Sequence, residues 1–468
     1  MTSKNLTRWV VILTATGSLM AALDTLVVST ALSRIRLDLG ASVGQLEWTV
    51  NAYNLSFAVL LITGAALGDR YGRRNLYAAG LGLFALASAA AALAPSVGVL
   101  IAARAIQGAG SALIMPLGLA LLSAAFPAEK RGAAIGIFSA ITGIAVASGP
   151  LVGGAVVQGI DWQWIFWINV PIGLGAIPFV LTKMQESRGP DTALDLRGLA
   201  LVTLGGLGTV WGLVRGNEVG WGSAEVIGAL IGGVMLTIAF IAWERRAREP
   251  MLSLDLFRSR AFSAGNAAIF LTFASLFGAV FFLAQLLQTG LGYSPLETGL
   301  RLMPWTATFI TVAPVAGALA DKIGERPLMV TGLALQAIGL AWVALMADAH
   351  MSYTQLLAPF VVAGVGVSMA IPAAQNSVVA SVADHAIGKA AGANSMMREL
   401  GGVFGVAVAV AVFAAAGSYA SPSAFVAGFT AAIGVAAALS LIGAGAGLAL
   451  PGRRRAAEPI LGFTGSAS

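Results

Sequence analysis

The chain is a succession of apolar runs bounded by charge, each near the roughly 20 residues that an α-helix needs to cross the hydrocarbon layer of a membrane. In lipid, a spanning segment must satisfy its own backbone hydrogen bonds, so runs of this length are helices. They fall at roughly 9 to 31, 47 to 68, 76 to 94, 97 to 124, 132 to 157 and 164 to 182, then 196 to 215 and 223 to 243, then 262 to 289, 296 to 320, 327 to 346, 353 to 378, 390 to 417 and 423 to 449. Fourteen spans place both termini on one side. Composition agrees: 58% of the residues are hydrophobic and 10% are charged, against about 25% charged in an ordinary soluble domain. The 58 glycines suit helices that pack closely in a bilayer.

The first run follows Lys4 and Arg8 like a signal peptide, but it is about twice the usual length of a signal's apolar region and contains Asp24, so it reads as the first membrane helix. With alternate loops assigned to opposite sides, Arg34, Arg36, Arg215 and Arg301 fall on one side and Arg104 falls within a span. The other twenty-two of the 27 basic residues share the side of the N-terminus, which the positive-inside bias makes cytoplasmic. This scatter between spans also speaks against nucleic acid as the partner of a chain with formal charge +6. There is no cysteine, and the two histidines, His350 and His385, sit in predicted loops, so neither a metal site nor a nucleophilic triad can be assembled. An enzyme is not expected.

An internal repeat is visible after the second span of each six-span set. Ala65-Ala66-Leu67-Gly68-Asp69-Arg70-Tyr71-Gly72-Arg73-Arg74 aligns with Gly317-Ala318-Leu319-Ala320-Asp321-Lys322-Ile323-Gly324-Glu325-Arg326 in its Leu, acidic, basic and Gly positions. The expected organisation is an all-α integral membrane protein. It has an N-terminal six-helix half (1–182), two inserted helices with flanking cytoplasmic loops (183–261), a C-terminal six-helix half (262–450) and a cytoplasmic tail (451–468).

The loop Leu67-Gly68-Asp69-Arg70-Tyr71-Gly72-Arg73-Arg74 resembles the signature loop of the major facilitator superfamily. Further along, Leu23-Asp24-Thr25, Arg104-Ala105-Ile106-Gln107-Gly108, Gly143 with Gly149-Pro150-Leu151-Val152-Gly153-Gly154, and Trp164-Ile165-Phe166-Trp167-Ile168-Asn169-Val170-Pro171 are similar to its fourteen-helix drug:proton antiporters. So is Arg398-Glu399-Leu400-Gly401-Gly402. The sequence departs from that branch at Ala65, where the loop usually opens on Gly, and at Gln163, where Arg is common. The resemblance implies two halves that alternate access to a site between them.

Asp24 lies deep in the first span, where a carboxylate costs at least about 2.5 kcal/mol, so it is either a proton carrier or a static acid satisfied by hydroxyls such as those of Thr25 and Ser29. Arg104 is the one basic residue deep in a span, with Gln107 and Gly108 on its face. The resemblance implies that it modulates an acidic partner, and the alternative is an Arg bonded to carbonyls. The family also implies that Asp69, with Arg70, Arg73 and Arg74, latches onto the positive N-terminal end of a helix of the other half, here the one beginning near Gly388, with Asp321 as its weaker counterpart. Without the family, that loop is a solvated basic edge. Gly143, Gly149, Pro150, Gly153 and Gly154 form the antiporter motif, a kinked close-packed seam that by resemblance blocks leak.

Candidates for the substrate cavity are Asn51, Asn54, Phe57, Gln107, Gln285, Gln288, Trp305 and Phe309. Trp48, Trp162 and Trp164 read as interfacial anchors, and Glu47, Glu297 and Glu399 as span-end acids that snorkel to water. The expected function is proton-coupled export of small amphipathic or cationic compounds, such as drugs and antibiotics, by a monomer in a bacterial-type inner membrane. Its partners are the lipid bilayer and a small-molecule substrate, and it needs no cofactor beyond the coupling proton. The alternatives are export of a single endogenous metabolite or self-made antibiotic and, in another class, a lipid flippase or a non-transporting receptor.

Overall fold

The structure is a computed structural model that describes residues 3–126, 138, 141, 145, 148–188, 195–247, 250, 254–348, 351–382 and 387–451. Its regular elements are helices throughout. The first half comprises α1 (Ser3–Val27), continued by a 3-10 turn (Val28–Thr30), α2 (Leu32–Leu39), α3 (Val43–Tyr71), α4 (Arg73–Ala92), α5 (Val97–Ala125), α6 (148–159), α7 (Trp164–Trp167) and α8 (Asn169–Lys183). Two further helices follow, α9 (Leu196–Val219) and α10 (Ala224–Glu244). The second half holds α11 (Arg260–Gln285), which runs into a π-helical turn (Leu286–Gly290), then α12 (Pro295–Ile323), α13 (Glu325–Met346), α14 (Tyr353–Val379), α15 (Ile387–Ala416) and α16 (Pro422–Leu448).

Twelve described helices are long and apolar enough to cross a membrane, and α3, bent by 50°, is a thirteenth when its two arms count as one span. The one remaining expected run, 132 to 157, the fifth in chain order, lies partly outside the described residues, and α6 is its continuous described part. The solvent around these helices is legible on α10, which exposes Ile231, Met235 and Ile238 to its surroundings. A continuous apolar face of that kind belongs in lipid.

The internal repeat is also a repeat of local structure. Ser42 accepts from Gln45 N at 3.3 Å while the Gln45 side chain accepts from Ser42 N at 2.9 Å, a capping box that fixes the start of α3. Ser294 and Glu297 build the same box at the start of α12. Each of these helices ends at a glycine with positive φ, Gly72 (112°) and Gly324 (86°), a backbone conformation that favours Gly and turns the chain straight into the next helix. Packing repeats as well: α3 and α4 lie on α5 as α12 and α13 lie on α14, and α4 meets α8 as α13 meets α16.

The halves meet along α3 and α15 and again where α6 reaches the start of α12. There a side chain on Gly154 would overlap the backbone of Pro295 and Leu296, and one on Gly299 would overlap that of Pro150 and Leu151. The inserted pair, α9 and α10, pack on each other, and α9 flanks the seam by touching both α3 and α15.

Candidate functional site

α1 carries Asp24 into the interior of the first half, where the acid is fully buried and ion-paired to Arg104 of α5. The spacing of α5 presents Gln107 one turn on, and its amide donates to Asp24 Oδ1 at 3.0 Å and to Ser88 Oγ of α4 at 2.8 Å. Arg104 Nη1 also donates to Gln107 Oε1 at 2.8 Å, and its Nε donates to the Thr49 carbonyl of α3 at 2.9 Å. From α8, Asn169 Nδ2 reaches Asp24 Oδ1 at 3.5 Å. The Arg104 guanidinium lies 4.3 Å from the centre of the Tyr53 ring, close enough for a cation–π contact. Tyr53 is held in turn by Ala21 O at 2.9 Å and Ser111 Oγ at 2.8 Å. That approach of α3 to α5 needs Gly108, because any side chain there would strike the Tyr53 carbonyl and the Ser56 hydroxyl.

The open choices for Asp24 and Arg104 are thereby narrowed. The partners of Asp24 are Arg104, Gln107 and Asn169, while the Ser29 hydroxyl donates to Leu26 O and the Thr25 hydroxyl to Ala21 O. Arg104 bonds a carbonyl and an acid together, and its Nη2 has no hydrogen-bond partner. Gln107 belongs to this network. Sequence reasoning missed Asn169, Ser88 and Tyr53. Asn169 had a signal in the run Trp167-Ile168-Asn169, whereas the other two are joined to the site only by tertiary packing.

At the opposite end of α3, Asp69 pairs with Arg73 at 2.7 Å. Arg74 donates to the carbonyls of Leu181 and Met184, and Arg70 lies over the ring of its neighbour Tyr71. An unforeseen residue organises this loop. Glu186, just beyond α8, accepts from the backbone N–H of Arg74 at 2.9 Å and of Asn75 at 3.3 Å, capping the exposed N-terminus of α4. The side chain of Asp321 and the surroundings of Gly388 lie outside what the structure describes, as do Gly143, His350 and His385.

In the antiporter motif, Gly149 packs on Leu23 and Leu26 and Gly153 on Val27 and Thr30, all in the α1 region of the same half. Gly154 and the Pro150 carbonyl face α12, so the seam binds α1 on one side and the second half on the other.

The cavity candidates separate into groups. Asn51 and Asn54 are buried on α3, and Phe57 packs into the core of the first half beside Tyr53. Gln285 accepts from Tyr419 and donates to Phe281 O at 3.1 Å, inside the second half. Burial lifts the Tyr419 phenol above the ordinary tyrosine range, so it stays protonated as that donor. Gln288 donates to Thr30 O at 3.0 Å and so bridges the halves. Trp305 is buried against Phe360, and Phe309 is half-buried beside the same core.

Three expectations about exposure are corrected. Trp162 is 1% exposed and donates to Asp38 at 2.7 Å, because the short helix α7 folds it inward; Trp164 is the exposed one. Glu47 and Glu399 are buried rather than snorkelling, since α3 and α15 pack against each other there; Glu297 alone of the three reaches solvent, as a helix cap paired with Arg301 at 3.5 Å.

Two similar helical halves, the first of them enclosing a buried acid–guanidinium pair, are the build of a polytopic membrane transporter. The chain belongs to the Major Facilitator Superfamily, whose profile it matches over residues 14–258 and 265–464. It is 37% identical over 398 residues to the tetracenomycin C resistance and export protein of Streptomyces glaucescens, covering 84% of this chain and 73% of that one. It is 35% identical over 408 residues to the multidrug resistance protein Stp of Mycobacterium tuberculosis, covering 86% and 75%. Its fold matches the crystal structure of the peptide transporter POT in complex with sulfate, with a TM-score of 0.68 at 17% identity over 96% of each chain.

Proposed function

We propose that the chain is a proton-driven exporter of small amphipathic compounds, cationic ones among them, working as a monomer in a bacterial-type inner membrane with both termini in the cytoplasm. The observation that carries this reading is the Asp24–Arg104 pair, fully buried yet built from groups that can exist without one another. When Asp24 takes a proton it loses its attraction for Arg104, and Arg104 still keeps Gln107, Thr49 O and the face of Tyr53. The protonated and ionised states are therefore both tolerable to the fold, as a carrier requires, and α1 is free to shift against α5 between them. Gly149 and Gly153 tie the same stretch of α1 to α6, which supplies a route from the proton to the seam between halves. Asp69, Arg70, Arg73 and Arg74 serve as the cytoplasmic latch of this cycle, with Glu186 setting the loop's position.

The test is purified protein in liposomes with an imposed pH gradient. Asp24→Asn imitates the protonated acid at nearly equal size, so the variant is expected to insert and purify normally and to bind substrate, but not to concentrate it against a gradient. Wild-type uphill transport by that variant, at matched protein levels, sinks the assignment. A second reading, export of one specific compound such as a self-made antibiotic, is favoured by the Streptomyces glaucescens relative, whose name joins resistance to export of a single compound. A narrow substrate profile in the same liposomes would select it.

A further inference from the structure

The inserted pair sits off-centre on the bundle. α9 rests on α3 through Gly206, which lies against Leu55 and Val59, and through Val210, which clusters with the same two residues. It also touches α15, while α3 packs on α5 along another flank. A groove of about 920 Å³ is left, with α3 as its floor and α5 and α9 as its walls. Its α5 wall is low because Ala102 and Ala105 line it; Arg104 and Gln107 of the same helix are fully buried in the first half. The groove is thus a different place from the Asp24 site.

On α9, Thr203, Leu207, Trp211 and Arg215 recur every four residues, one stripe along the groove. From Thr203 to Arg215 the helix rises about 18 Å, and one leaflet of hydrocarbon is about 15 Å thick. The stretch between is apolar, since the Ser56 hydroxyl is turned to the Tyr53 carbonyl at 3.1 Å. Towards the start of α3, Trp48 and Trp211 come together with ring centres 5.8 Å apart, and indoles collect where hydrocarbon gives way to headgroups. Beyond them the lining turns polar, with Ser42, Gln45 and Arg215. Glu225, in the first turn of α10, accepts from Arg215 Nε at 3.1 Å and from Trp211 Nε1 at 2.9 Å, so a cation and an anion are fixed side by side at this end.

The groove therefore has the length of a leaflet and the leaflet's own order of apolar, interfacial and charged groups. A guanidinium suits a phosphate, but the carboxylate beside it repels a headgroup that is only negative. A headgroup that carries an ammonium next to its phosphate answers both. We propose that this groove holds one zwitterionic phospholipid, an acyl chain along α9, its phosphate on Arg215 and its ammonium towards Glu225. The lipid comes from the leaflet at the start of α3, the outer one in the orientation proposed above. Because α9 spans from α3 to α15, the lipid steadies the flank of the seam between the halves. The site is independent of the proton and of the exported compound.

The experiment weighs the intact full-length protein by mass spectrometry, purified in detergent with equal amounts of phosphatidylethanolamine and phosphatidylglycerol of identical acyl chains, so that retained lipids are counted. Wild-type protein is expected to keep one phosphatidylethanolamine per chain, about threefold or more in preference to phosphatidylglycerol. Ala102→Phe on one wall and Leu207→Trp on the other each fill the groove without touching the buried pair, and each is expected to lower retention about fivefold. Arg215→Gln is expected to erase the preference between headgroups, and Ile231→Phe, on the exposed face of α10, to change nothing. Added phosphatidylethanolamine is expected to raise the thermal unfolding midpoint of the wild type more than that of either groove variant. Wild-type protein that keeps no lipid, or that keeps both lipids equally, overturns the proposal, as do groove variants that keep as much lipid as the wild type. Groove variants that lose ethidium binding while lipid retention is unchanged give the groove to the exported compound and also overturn it.

Discussion

Arg104 is asked to do three things at one point: neutralise Asp24, bond the Thr49 carbonyl and stack on Tyr53. A planar fork of donors can meet all three, and a lysine ammonium, compact and single-pointed, cannot. Arg104→Lys is therefore expected to keep the charge balance and the fold but to lower proton-driven transport by on the order of tenfold, with a shifted pH profile. Unchanged transport across pH would show that only the charge at this position matters. The same residue shows what a sequence can and cannot reveal. Asp24, Arg104 and Gln107 stand out because ionisable and amide groups are conspicuous inside apolar runs. Tyr53 and Ser88 do not, being ordinary in a membrane helix. Glu47 is misread for the opposite reason: charge marks the end of a span, so an acid at the edge of a run looks like its boundary when the helix starts at Val43; Glu399 lies inside its run, and only the packing of α15 shows that it is buried.

At the scale of elements, the seam between α6 and α12 is the contact most sensitive to a single methyl group. Gly154 and Gly299 let the two backbones touch, and Gln158 accepts from Leu296 N at 3.1 Å just beyond. Gln288–Thr30 O and the Arg36 guanidinium, 4.1 Å from the Tyr419 ring, join the halves at the same end, so α6–α12 is part of the contact that holds the halves together there, a gate if the halves part there during transport. Gly154→Val is expected to wedge that gate. Because the chain has no cysteine, a single buried reporter, Thr298→Cys on α12, reads the outcome directly. Labelling from the side of that end is expected to speed up several-fold with Gly154→Val and transport to fall, whereas an unchanged rate would mean that the seam only packs. The glycine pattern was legible in the sequence; its two-sided use, α1 on one face and α12 on the other, was not, because spacing gives the face of a helix but not the neighbours around it.

For the whole molecule, the relative sidedness of the described ends, Ser3 and Pro451, follows from contacts rather than from a count of spans. Arg36, in the connection between α1 and α3, touches Tyr419, in the connection between α15 and α16, so those two connections share one side of the membrane. The N-terminus is one crossing away from that side through α1, and residue 451 is one crossing away through α16. The described ends of the chain, Ser3 and Pro451, therefore lie together, on the opposite side. The charge distribution carries the expectation of which side that is. Arg34, Arg36, Arg215 and Arg301 accompany the Arg36–Tyr419 end, and the signature-loop residues Arg70, Arg73 and Arg74 lie at the other, the side that the positive-inside bias predicts to be cytoplasmic. A reporter fused after Pro451 is expected to be active only in a form that works in the cytoplasm, and one inserted beside Gly417 only in a form that works outside. Outward activity of the Pro451 fusion would reverse the orientation of the whole bundle and, with it, the direction in which the gate at Gly154 opens.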